Sequence, residues 1–221
     1  MKKIIIATIL AASFSFTPAS AEIGVNVGVS GQMGLFVATG TEKQLGRASE
    51  GKDETRSESD FLAVGWGSIF VEKTFADRVM IGIDYVPSAL ETPVQEEVRS
   101  DRNSKAEDTT GVGGFVLKTQ KIKVEFKDLT TAYVGLMVTD NFYVKAGFSQ
   151  VDIITKEDLG TGSTYKDTDM DGYTIGLGYN HGFDNGMFVR AEGNYAQFDG
   201  ASLTSSSGRT KMTLDGLDGA T

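Results

Sequence analysis

Four charged residues stand at alternate positions of segments that read as β-strands, where they would face the interior of a folded sheet. The two acids and two bases are Asp84, Lys145, Arg190 and Glu192. Counted from nearby short turns, all four lie at a similar height along their strands, so we expect them to meet. Buried charges are tolerated when they are paired. The pattern therefore predicts a salt-bridged plug, because a small closed sheet encloses little more than its own side chains.

A second group of acids opens the segment Asp167-Thr168-Asp169-Met170-Asp171-Gly172. Alternate carboxylates before a glycine match the beginning of a calcium-binding loop. A complete loop of that kind has a glutamate at its twelfth position, which is Gly178 here. Asp167, Asp169 and Asp171 are thus an incomplete metal-site candidate, and an acidic surface loop is favoured. Binding of divalent cations that bridge to lipopolysaccharide phosphates is the alternative.

The single histidine, His181, is the residue to examine for acid–base catalysis. Its sequence neighbours, Asn180 and Gly182, supply neither an orienting acid nor a nucleophile. It also stands beside a short turn at Asp184-Asn185-Gly186, where an interfacial aromatic residue is expected. We predict no catalytic site, no enzymatic activity and no cofactor.

The first 21 residues have the form of a secretory signal peptide. Lys2 and Lys3 precede an apolar run from Ile4 to Phe16 and a small-residue cleavage site before Glu22. Removing the two lysines leaves 21 − 2 = 19 bases against 30 acids, so the formal charge falls from −9 to −11. So acidic a chain argues against nucleic-acid binding, and the absence of cysteine excludes a disulfide framework.

The remaining residues, 22–221, are predicted to form one domain of β-strands. Apolar and polar residues alternate along residues 23–37 and in later segments, as expected of strands with two unlike faces. The phase of residues 121–138 is ambiguous because Tyr133 breaks the alternation, and an eighth strand is predicted from about Lys211. The apolar positions predicted to share one face are Ile23, Val25, Val27, Val29, Met33, Leu35 and Val37; Leu62, Val64, Trp66 and Phe70; Val79, Ile81, Ile83 and Tyr85; Phe142, Val144, Ala146 and Phe148; Tyr173, Ile175, Leu177 and Tyr179; and Val189, Ala191 and Tyr195.

The connections alternate in length, which is typical of outer-membrane barrels with short periplasmic turns and long extracellular loops. Long polar segments are predicted near residues 40–60, 92–120, 156–171 and 199–210, and short turns at 73–78, 139–141 and 184–186. We therefore predict an all-β fold, an eight-stranded antiparallel up-and-down transmembrane β-barrel in the bacterial outer membrane. A soluble lipocalin-like barrel is the alternative. Two aromatic girdles are expected, at Phe75, Phe142, Phe183 and Phe188, and at Phe61, Tyr85, Tyr173, Tyr195 and Phe198.

This pattern resembles the eight-stranded barrels of the OmpA transmembrane-domain, OmpX and opacity-protein type across residues 22–221. The stretches that carry the resemblance are Tyr173–Tyr179 and Phe188–Tyr195. It implies a barrel-only protein that contacts outer-membrane lipid and lipopolysaccharide and is inserted by the barrel-assembly machinery. It also implies that the charged cluster can act as a gate. Members usually finish on an aromatic residue, whereas this sequence stops at Gly219-Ala220-Thr221, so we expect the last strand to be incomplete.

Two functions follow from this sequence. The first is a structural or surface-interaction role, in which four loops are displayed outside the cell to a ligand that the sequence does not identify. The second is a narrow channel for small solutes or ions, with Lys123, Glu125 and Lys127 at its outer mouth. A lipid-modifying enzyme is rejected, because His181 would lie at the periplasmic end.

Overall fold

The computed structural model describes residues 14–16, 25–45, 53–87, 90–91, 95–102, 115–158, 164–206, 208 and 210–221. Within these ranges the chain forms twelve strands that belong to one antiparallel sheet. They are β1 (Phe14–Phe16), β2 (Val25–Gln44), β3 (Glu54–Phe75), β4 (Val79–Val86), β5 (Leu90–Glu91), β6 (Gln95–Arg102), β7 (Phe115–Met137), β8 (Phe142–Asp158), β9 (Thr168–Gly182), β10 (Phe188–Phe198), β11 (Ala201–Thr204) and β12 (Thr210–Ala220).

Eight of these strands close into a ring. The order is β2, β3, β4, β7, β8, β9, β10 and β12, and β12 pairs with both β10 and β2. Consecutive strands of the ring pair side by side, as in an up-and-down barrel. The predicted all-β fold, an antiparallel up-and-down ring of eight strands, is confirmed.

Three short connections lie at one end of the ring, here called the turn end. They are residues 76–78, 138–141 and 183–187, as the sequence predicts. The opposite end, here called the far end, differs from the prediction because several segments expected to be loops are strand. β2 and β3 remain paired as far as Gln44 and Glu54, and β6 lies along β7. Hydroxyl side chains support the longer ladder, with Thr39 bonded to Ser59 at 2.9 Å. Residues 46–52, 92–94, 103–114, 159–163, 207 and 209 of the predicted loops lie outside the described residues.

The outward face of the ring is apolar on β2, β4, β8, β9 and β10, as predicted. The prediction for β3 is wrong. Trp66 and Phe70 are buried inside the ring, whereas Ile69 and Val71 face outward. Gly34 of β2 makes room inside the ring for the Trp66 side chain, because a Cβ at Gly34 would lie 2.8 Å from the Trp66 ring. Phe188 and Phe198 also point inward, so neither belongs to an aromatic girdle.

A β-bulge accounts for the ambiguous phase of β7. The register with β8 shifts between Lys127 and Thr130, and Asp128 there has a left-handed φ of 52°. One inserted residue exchanges the two faces of a strand. Phe126 therefore packs inward beyond the bulge, and Tyr133 is buried inward before it.

Two layers of side chains fill the ring. Toward the far end lies an apolar layer, whose buried members are Phe36, Trp66, Val86, Val151, Ile153, Met170, Ala196, Phe198 and Leu217. Toward the turn end lies a charged layer, made by Glu72, Tyr133, Tyr143, Lys145, Arg190 and Glu192. A hydroxyl-rich belt separates them, in which Ser30 and Ser68 are bonded at 2.6 Å.

Within the described ranges, no helix has the length and apolar character of a membrane span.

Gly34 provides a test of the interior packing. A Gly34→Val side chain would enter the space of the Phe36 and Trp66 rings, 2.7 and 2.8 Å from its Cβ. We expect this variant to lose about 1–3 kcal/mol of unfolding free energy, as is typical of overpacked cores. The matched control is Gly31→Val on the same strand, where a Cβ would meet nothing within 4 Å. Urea titration of the refolded protein measures both, and equal stability of the two variants would contradict the packing described here.

Candidate functional site

Glu72 is the centre of the charged layer, although the sequence did not single it out. Its side chain is 2% exposed and lies on β3, on the same face as Trp66 and Phe70. The wrong phase predicted for β3 hid this residue, because it turned Glu72 away from the interior. A signal was present in the sequence: Glu72 alternates in step with Trp66 and Phe70, and a carboxylate is far less tolerable than a glycine on an apolar outer face.

Arg190 of β10 binds Glu72 with both ends of its guanidinium group. Arg190 Nη1 donates to Glu72 Oε2 at 2.9 Å, and Nη2 donates to Oε1 at 2.6 Å. Tyr133 Oη donates to the same carboxylate at 2.8 Å, and Asn26 Nδ2 does so at 3.1 Å. Four donors therefore satisfy a carboxylate that is withdrawn from water. Such bidentate, charge-assisted pairs are among the strongest polar contacts in proteins.

Aromatic rings surround the guanidinium group of Arg190. Its central carbon lies 5.1 Å from the ring centre of Phe70, 5.2 Å from that of Tyr143 and 5.0 Å from that of Phe188. Stacking of this kind favours a cation, and the rings exclude water from the ion pair. Arginine suits this position better than lysine, because a planar group can stack and bind two oxygens at once.

A second ion pair continues the layer on β8 and β10. Lys145 Nζ and Tyr143 Oη each donate to a carboxylate oxygen of Glu192. Arg190 Nη1 also lies 3.9 Å from Glu192 Oε1, which links this pair to Glu72. The structure thus brings Lys145, Arg190 and Glu192 together, and the two acids of this layer, Glu72 and Glu192, balance its two bases.

Asp84, the fourth predicted member, stands beside this network in the hydroxyl-rich belt. Ser68 Oγ donates to Asp84 Oδ2 at 2.8 Å, and Gln32 Nε2 donates to Ser68 at 3.2 Å. Thr131, Ser149 and Thr174 extend the belt on the other strands. The belt lies between the charged layer and the apolar layer, so described side chains occupy the interior at all three levels.

The structure does not assemble a metal site from Asp167, Asp169 and Asp171. Asp167 is exposed before β9, and Asp169 and Asp171 lie on β9 opposite Asp152 and Gln150. Among the described residues, no group of three or more acidic, histidine or cysteine side chains could hold a metal ion. His181 lies near the turn end, exposed and against the Phe183 ring at 5.1 Å.

Lys123, Glu125 and Lys127 do not line an interior mouth, contrary to the channel hypothesis. They alternate with Val124 and Phe126, which pack inward against the apolar layer. Glu125 lies 3.6 Å from Lys123 and 3.2 Å from Lys127, so the three form an ion-pair cluster on the outward side. The bulge at Asp128 sets this orientation, and a single sequence does not reveal it.

No protein-family model and no curated protein matches this chain. Among solved structures, it is similar to the outer membrane protease OmpT from Escherichia coli, with 10% identity and a TM-score of 0.39 over 95% of this chain and 91% of that chain. It is also similar to a Pseudomonas aeruginosa FadL homologue, with 8% identity and a TM-score of 0.32 over 94% of this chain and 66% of the other. Similarity this low identifies neither a family nor a function.

The Glu72–Arg190 pair gives the sharpest test of the site. We expect Arg190→Met to cost about 3–5 kcal/mol of unfolding free energy, because Glu72 is left charged and buried. The double variant Glu72→Gln with Arg190→Met should be the more stable of the two. Lys43→Met is the control, since the Lys43–Asp53 pair at 2.8 Å is exposed and should contribute about 1 kcal/mol at most. Urea unfolding of the wild type, these variants and the single Glu72→Gln variant measures the coupling, and a loss in the double variant equal to the sum of the two single losses would show that the two residues are not coupled.

Proposed function

We propose that this chain is a bacterial outer-membrane β-barrel with a sealed interior, whose role is structural and whose far end serves surface interaction. One observation carries the proposal: the molecule is apolar outside and charged inside. Val29, Ile83, Ile175 and Leu177, on the outward faces of β2, β4 and β9, are 52, 54, 60 and 62% exposed. A water-soluble protein seldom leaves so continuous an apolar surface uncovered, whereas lipid requires it.

Aromatic residues at both ends of the apolar band support membrane residence. Phe75, Phe142 and Phe183 are exposed near the turn end. Exposed aromatic residues of the opposite rim are Phe61, Tyr85, Phe148, Tyr173 and Tyr195. Aromatic side chains at these two levels suit the two interfaces of a bilayer. Lipid and lipopolysaccharide are then the partners of the outward face, and the barrel-assembly machinery is the partner during insertion.

The filled interior favours a structural role over transport. An ion would have to cross the charged layer, whose two acids and two bases cancel, and then the apolar layer that contains Phe36 and Trp66. Apolar constrictions exclude water and the ions that travel with it. A narrow channel is the second candidate, and one contact favours it: Arg190 lies within 3.9 Å of Glu192 and so has a second carboxylate available besides Glu72.

Surface labelling tests both residence and orientation. The sequence contains no cysteine, so single cysteines report their own positions. We expect Ser59→Cys at the far end to react with a membrane-impermeant maleimide on intact cells. Asn185→Cys at the turn end should react only after the outer membrane is permeabilised. Labelling of Asn185→Cys but not of Ser59→Cys on intact cells would show the opposite orientation. Recovery of the protein in the soluble fraction without detergent would refute membrane residence.

A further inference from the structure

Part of one edge of β3 has no paired strand among the described residues. β3 pairs with β2 from Glu54 to Lys73, but it pairs with β4 only from Ile69 to Phe75. β4 ends at Val86, and β5 and β6 then follow β7. Within the described ranges, no strand pairs with the second edge of β3 between Glu54 and Ser68. β5 comes close to β3 without pairing with it. The unpaired edge of β3 toward Glu54 is here called the opening.

Hydrogen-bond alternation shows which backbone groups face this opening. Asn194 and Thr221 exchange both backbone bonds, at 2.7 and 2.9 Å. Along an antiparallel strand, the backbone N–H and C=O groups of successive residues point alternately to the strands on either side. The registers carry this alternation from β10 through β12 and β2 to β3. The backbone N–H and C=O groups of the even-numbered residues of β3 therefore point to β2, and those of the odd-numbered residues point toward the opening. These residues are Thr55, Ser57, Ser59 and Phe61.

Phe61 supports this assignment independently. Its N–H donates to Oδ1 of the adjacent Asp60 at 2.7 Å, so a side chain takes the place of a strand partner. Phe61 is also the most exposed large apolar residue of those described, at 74%. An edge amide that is satisfied by its own neighbour is free to exchange that bond for one to an incoming strand.

The charges beside the edge indicate the chemistry of the strand that would dock. Glu58 and Asp60 lie opposite Gly40 and Ala38 of β2, which carry no charge. Arg56, in contrast, lies opposite Glu42. Lysine or arginine at alternate positions of an incoming strand would face Glu58 and Asp60, and opposite charges across a ladder stabilise the pairing. The same edge of a second copy would place acid against acid, which disfavours self-association.

We propose that the β3 edge from Thr55 to Phe61 is a docking site for an extended, basic strand of an extracellular protein. The strand adds to the sheet through backbone bonds, and alternate basic side chains select it. This inference rests on the proposed function, since it requires the far end to face the outside of the cell.

The probe is a synthetic peptide of alternating lysine and threonine, as long as the segment Thr55–Phe61, titrated against the refolded full chain in detergent. We expect binding that weakens with added salt. Ser59→Pro removes an edge N–H while leaving the backbone bonds to β2 intact, and it should weaken binding about fivefold or more, as the loss of a backbone hydrogen bond implies. The hydroxyl bond from Ser59 to Thr39 is lost in Ser59→Pro and in Ser59→Ala alike. Ser59→Ala keeps the N–H and is the matched control, for which we expect unchanged affinity.

The outcomes separate this inference from the function on which it rests. Loss of binding in Ser59→Pro but not in Ser59→Ala supports a strand docked at the edge. Equal binding by both variants would mean that the peptide adheres only by charge, and absence of binding to a folded barrel would also overturn the inference. Folding is checked by the heat-dependent gel mobility of each variant. A barrel that folds in detergent but whose Ser59→Cys variant is not labelled on cells refutes the proposed orientation instead.

Discussion

The buried ion pair between Glu72 and Arg190 is the interaction on which the interior depends. It joins β3 to β10 across the ring through two hydrogen bonds, at 2.6 and 2.9 Å. A buried carboxylate and a buried guanidinium are costly unless each satisfies the other. Their pairing therefore fixes which face of each strand points inward. Once β3 and β10 are oriented, the apolar residues between the inward positions have no place except the outer surface.

Glycine makes this interior possible. An eight-stranded ring has room for side chains and little else, so each large inward residue needs a small neighbour. A Cβ at Gly178 would lie 2.2 Å from the Tyr143 ring, and one at Gly82 would lie 2.6 Å from the Tyr133 ring. Both tyrosines reach the carboxylates of the charged layer only because these glycines lie beneath them. The same device seats Phe36 against Gly219 in the apolar layer.

Much of this could be predicted from sequence, because period-two alternation and turn spacing depend on local residues alone. They identified the ring, its short turns and three of the four ion-pairing residues. The phase of β3 was missed because Trp66 and Phe70 are apolar wherever they point, and only packing against Gly34 and Arg190 places them inside. Glu72 was lost with that phase. The bulge at Asp128 exchanges the inward and outward faces of β7 within a few residues, so the sequence shows only an ambiguous alternation there. The prediction therefore put Lys123, Glu125 and Lys127 on the wrong face.

The proposed sealed interior and the proposed docking edge are compatible in one molecule, because the ion pairs and Thr55–Phe61 lie at different levels of the sheet. The ion pairs lie at the level where β3 pairs with both β2 and β4, and the proposed docking segment Thr55–Phe61 belongs to the far-end extension of β2 and β3. The most direct test of the sealed barrel is the conductance of the refolded chain in a planar lipid bilayer. A correctly inserted barrel should leave the current at the level of protein-free lipid at every salt concentration. Discrete openings whose size grows with salt would contradict the sealed interior and favour a gated channel.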